Sequence, residues 1–140
     1  MKQIQQALVY SMLIVWTHGI VAVLHGLAHV GMSIWLSLFG DAFVTLVIGL
    51  APFLALLLLR SRWQRSGALL LTLSMLGALI FGLWSHFIAP GTDNVAQMQP
   101  DNWYHPFLIT SILLAILETT GVAIGLCCLS ALSRSQYRTT

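Results

Sequence analysis

Three of the chain's five histidines share one stretch, WTHGIVAVLHGLAHVG, over residues 16–31. At 100° per residue, His18, His25 and His29 fall within about 40° of one another on a helix, with Ser11 and Ala22 on the same stripe. A rise of 1.5 Å per residue sets His25 and His29 about 6 Å apart along the axis, with His18 about 10 Å further in. A His-x3-His pair on one helix face is a ligand geometry, and imidazole suits zinc, copper and iron. Facing histidines at one level of a helical bundle also hold haem b. Gly19 and Gly26 flank the stripe and allow a helix or a flat ligand to come close.

The elements that must position these side chains follow from composition. Hydrophobic residues make up 58% of the 140 residues, charged residues only 7%, and the mean hydropathy is +0.87. Soluble domains carry about 25% charge, so water cannot be the surrounding medium. About 20 apolar residues span the hydrocarbon core as a helix. Four stretches qualify: about 7–30, with hydropathy that extends toward Phe39, then about 42–59, 67–89 and 106–132. Only Glu118 is formally charged within them. Helices are required, because open sheet edges leave backbone groups unpaired in lipid, and no strand alternation suggests a barrel. The expected fold is therefore an all-α integral membrane bundle of four transmembrane helices, up-down-up-down, forming one transmembrane domain over residues 1–140. Pro52 should kink the second helix, and Pro106 suits the start of the fourth.

The N-terminal apolar run outlasts the h-region of a signal peptide, which favours a retained helix. Lys2, the cluster Arg60, Arg62 and Arg65, and Arg134 with Arg138 all fall on one side of four crossings. Asp41, Asp93 and Asp101 fall on the other. The positive-inside rule then gives N-in and C-in, in a bacterial-type inner (plasma) membrane. Trp35, Trp84, Trp103 and Tyr104 belong at the outer interface by the same logic, Trp63 and Tyr137 at the inner one.

This topology gathers the chemistry. His25 and His29 lie at the outer end of the first helix, His86 at the outer end of the third, and His105 at the mouth of the fourth. Asp93 and Asp101 sit in the loop 90–105, PGTDNVAQMQPDNWYH, which otherwise reads as a polar hairpin. The leading expectation is a metal or haem site built from His25, His29 and His86, with Gly26 and Gly82 making room. His105 and Asp93 would be further ligands or supporting partners. A redox or electron-transfer role fits such a site. A metal with one open position can also do chemistry, so the enzyme question stays open.

Deeper in the bilayer, Glu118 shares a small-residue face with Ser111, Ala115 and Gly125, with Gly121 beside it. An unpaired carboxylate there costs a few kcal/mol, and His18 is its natural partner. That pair supports a second reading, a proton-coupled small-solute path through His18 and Glu118. A third is structural. Interhelical hydrogen bonds of this kind contribute about 0.6 kcal/mol each, in an accessory subunit of a larger membrane complex or in a homo-oligomer. Adjacent Cys127 and Cys128 read as small apolar filler. No basic patch interleaved with aromatics points to nucleic acid. No phosphate loop, dinucleotide fingerprint, HExxH or nucleophile elbow occurs, and no CxxCH exists to attach a c-type haem.

Overall fold

The computed structural model describes residues 2–137, and side chains over 5–134. Arg138 and the side chains of Lys2 and Tyr137 lie outside what is described. Helix α1 runs Lys2–Gly31, α2 Leu38–Leu59, α3 Gln64–Ile88 and α4 Tyr104–Tyr137, with no strand among the described residues. All four are long and apolar enough to cross a membrane. The 22 residues of α2 reach about 33 Å, slightly more than the hydrocarbon core. Large apolar side chains such as Val23, Leu27, Leu57, Ile80 and Ile116 stay exposed around the bundle. Lipid, not water, is the solvent in which such a surface is stable.

The first helix does not continue toward Phe39. Three hydrogen bonds tie off its end: Met32 N to Ala28 O (2.9 Å), Ser33 N to Val30 O (3.0 Å) and Ile34 N to His29 O (3.0 Å). Ser33 takes a left-handed conformation at φ 56°, the usual way a helix terminates. Ser37 then opens α2, its hydroxyl accepting from the Gly40 N–H at 3.2 Å. The second helix thus begins four residues before the expected 42. Hydropathy could not place this break, because the residues that make it are themselves largely apolar.

Two stretches are wound more widely than an α-helix. Val44–Leu50 of α2 and Trp84–Ile88 at the end of α3 are π-helical. The first answers the expectation for Pro52. That residue has no N–H for the Ile48 carbonyl and its ring crowds it; the wide turn, closed by Ala51 N bonding Leu46 O, relieves both problems.

Helix α4 packs along α1 and α3, and α2 leans on α3 while touching α1 only over a short stretch. Glycines set the close approaches. A Cβ on Gly67 would lie 2.6 Å from Leu59 N and 2.9 Å from Ala55 O, so the α2–α3 turn admits no side chain there. Gly125 meets Thr72 across the α3–α4 contact in the same way. Two apolar cores result. One, around Ile14, Val15, Leu71 and Met75, fills the half near the α2–α3 turn. The other is small, with Ala28, Ile34 and Phe107 at the opposite end, where Val95 and Met98 of the long loop pack on it. Between the two cores lie His18, His25, His86 and Glu118.

Candidate metal centre

The long loop is not a bare polar hairpin. Asn94 is buried, donates from Nδ2 to Ala89 O (2.8 Å) and accepts at Oδ1 from Ala96 N (2.9 Å). Val95 N bonds back to His86 O (3.0 Å). These bonds fold the loop over the end of α3 and aim Asp93 inward. Asp101 has a different task from the one its neighbourhood suggested. Its Oδ1 accepts from Trp103 N (2.7 Å) and Tyr104 N (2.9 Å), capping α4. Trp103 lies over Gly31, where no Cβ would fit.

His25, His29 and His86 come together. Their Nε2 atoms converge: His25 to His86 at 3.1 Å and His25 to His29 at 3.2 Å. All three rings pack around Phe107, with centroids 4.8, 4.9 and 5.1 Å from its ring. His25 and His86 are each 7% exposed. The π-helical turn is where α3 presents His86, and the unbroken α1 supplies the other two, one turn apart. His105 does not join them. It is exposed on the first turn of α4, with its ring against Tyr104 at 5.5 Å.

The outer nitrogens fix the chemistry of the inner ones. His25 Nδ1 lies 2.9 Å from Thr110 Oγ1, and the single Thr110 hydroxyl proton is engaged by Pro106 O at 2.7 Å. Nδ1 of His25 therefore donates to Thr110. His86 Nδ1 donates to the Asp93 carbonyl (3.3 Å) and lies 3.1 Å from Asp93 Oδ1. In the neutral imidazoles both Nε2 atoms are then bare lone pairs. Two lone pairs facing each other at 3.1 Å repel unless a cation sits between them. Asp93 Oδ1 also lies 3.5 Å from His29 Nε2. It is buried without a hydrogen-bond partner among the described residues, as is His29 Nδ1. The cluster has an electron-rich centre, and the three histidines form a group that could hold a metal ion.

Beneath the histidines opens a cavity of about 240 Å³. Gly26, Gly82 and Glu118 line it. A Cβ on Gly82 would lie 3.9 Å from His86 and 4.0 Å from Glu118 Oε2; one on Gly26 would meet nothing within 4 Å. His18, 1% exposed, hydrogen-bonds through Nε2 with Glu118 Oε1 at 3.3 Å, so the pair is formed at the cavity floor. Lower on the same stripe, Ser11 bonds its own helix at Ala7 O (2.8 Å) beside Cys128, separated from His18 by the apolar core.

Thr110 and Phe107 are site residues that sequence reasoning missed. The signal for Thr110 was weak: a hydroxyl on α4 at the depth of His25, one residue before Ser111 on the face already singled out. No protein-family model, curated protein or solved structure matches the chain.

Proposed function

We propose that this chain is a membrane metalloprotein. It holds one transition-metal ion on His25, His29 and His86, at the periplasmic side of a bacterial-type inner membrane, with both termini cytoplasmic. The observation that carries the reading is the convergence of three Nε2 atoms whose outer nitrogens are already bonded at two of the three rings. Metal-ligating histidines characteristically donate their other N–H to a carbonyl, carboxylate or hydroxyl. Separations of 3.1 and 3.2 Å are close to the edge of a tetrahedron with 2.0–2.1 Å metal–nitrogen bonds, about 3.3 Å.

The same distances disfavour haem. A macrocycle held between two imidazoles needs their nitrogens on opposite faces, about 4 Å apart, with a flat slot between. Here the His25 and His86 rings stand 4.8 Å centre to centre, with His29 beside them and no slot. Three imidazoles leave an ion at least one open position, as in catalytic rather than structural sites. That position would open toward the cavity that the histidines share with Glu118. A site of this kind would favour work on a bound molecule over electron transfer within a closed shell, and the His18–Glu118 pair would hold a proton beside that molecule. A bound zinc, copper or iron would polarise the molecule or activate its oxygen.

A path across the whole membrane has less support: below His18 the core is Ile14, Val15, Leu71 and Met75, and the buried hydroxyls among them, Ser11, Thr72 and Ser74, are each bonded to a carbonyl of their own helix. Metal analysis of protein purified in detergent tests the proposal. One equivalent of a transition metal should be found, and His86→Ala should retain less than a tenth of it while still inserting in the membrane. Metal-free wild-type protein that also refuses added zinc, copper and cobalt would overturn the reading.

A further inference from the structure

We propose that the molecule worked on at this site is a single-chain amphiphile with an uncharged oxygen head, entering sideways from the bilayer between α1 and α2. This rests on the metal reading above.

The seam between those helices is closed only at its lower end. There Phe53 stacks edge-on against Trp16 at 5.2 Å, and Gly19 admits its ring, since a Cβ would sit 3.0 Å from Phe53 Cζ. Above Phe53 the helices part around a groove of about 680 Å³. Thr45 offers the single side-chain hydroxyl in that groove, between walls that include Ile20, Val23 and Leu24. Groove and metal cavity adjoin: Ala22, Val44 and Ile48 line both. Gly26, one turn above Ala22, lines the cavity side of that boundary, with open space where a side chain would be. The π-helical Val44–Leu50 forms the opposite wall.

The arrangement is polar at one end and apolar at the other. From Leu24 to Trp16 the groove descends about 12 Å toward the bilayer middle, while the histidines sit above it. A head at the ion and a tail in the groove is how an amphiphile of that leaflet already lies. Charge selects the head. Asp41, Asp93 and Glu118 line the cavity and neither Lys nor Arg does, which disfavours an anionic head. A quaternary ammonium head has no lone pair to offer an open metal position. An alcohol or carbonyl oxygen suits an open metal position beside the Glu118–His18 pair.

The test uses full-length protein in lipid nanodiscs, loaded with Co(II), whose visible ligand-field bands report what binds the ion. The probes are 1-dodecanol, delivered through the lipid, and imidazole, a neutral ligand in mildly alkaline buffer, delivered through water past exposed Asp41. Both should shift the bands of the wild type, and dodecyltrimethylammonium should be at least tenfold weaker than dodecanol. Thr45→Trp, at a position that lines the groove and not the cavity, should raise the half-saturating mole fraction of dodecanol at least tenfold. It should change the half-saturating concentration of imidazole less than twofold and keep one Co(II) per chain. Ile20→Trp, on the other wall, provides a second plug should the first fail to fold. Bands unmoved by dodecanol in a protein holding one Co(II), or a plug that weakens imidazole and dodecanol equally, would overturn the side entry while leaving the metal reading intact. Absence of Co(II) binding would remove both.

Discussion

At the residue scale, the decisive atoms are the ones turned away from the centre. Thr110 and the Asp93 backbone each accept a hydrogen bond from an imidazole Nδ1 and thereby direct an Nε2 lone pair inward. Loss of such supporting partners typically costs 10–100-fold in metal affinity. Thr110→Val, which removes one acceptor, and Asp93→Asn, which keeps the carbonyl and removes the carboxylate charge 3.1 Å from His86 Nδ1, should each weaken binding by about that factor in a competition titration against a coloured chelator. His105→Ala should change it less than twofold, since that ring stands exposed beside Tyr104. Equal effects from all three would contradict the tautomer assignment. The histidine cluster was largely legible in the sequence, because His25 and His29 share a helical face and topology brings His86 to their level. Thr110 and Phe107 were not. Their roles depend on how α4 is rotated against α1, and no spacing within one helix encodes that rotation.

At the scale of the helices, glycines divide into those that admit a neighbour and those that face a void. Gly67 meets backbone atoms of Leu59 and Ala55, which cannot swing aside. Gly67→Ala should therefore destabilise by roughly 1–3 kcal/mol, as overpacking does, whereas Gly26→Ala should stay within about 0.5 kcal/mol. Thermal unfolding in one detergent compares them, and a destabilised Gly26→Ala would mean that the cavity is filled. Four apolar spans could be read from hydropathy because lipid demands length and greasiness of every crossing. The break after Gly31 could not, since its signal is the dihedral of Ser33 inside an apolar stretch. The wide turns at Val44–Leu50 and Trp84–Ile88 were equally hidden. The first precedes Pro52, where the sequence suggested a kink and gave no sign of a widened turn. The second has no local sequence cause.

For the whole molecule, the distribution of charge gives an orientation that labelling can check. Arg60, Arg62 and Arg65 lie at the α2–α3 turn and Asp93 and Asp101 in the loop before α4, at opposite ends of the bundle. In a background with Cys127 and Cys128 replaced by Ala, a cysteine at Gln97 should react with an impermeant maleimide on intact spheroplasts. One at Ser61 should react only after lysis. The reverse pattern would place the site on the cytoplasmic face. The layer around Ile14, Val15, Leu71 and Met75 has a consequence of its own. Its buried hydroxyls, Ser11, Thr72 and Ser74, are each bonded to a carbonyl of their own helix, so no polar chain leads from the Glu118–His18 pair to the far compartment. On the proposed reading, any proton taken up or released at the site would return to the side it came from, neither drawing on the membrane voltage nor dissipating it. Vesicles containing the protein should accordingly hold an imposed pH difference as long as empty ones do.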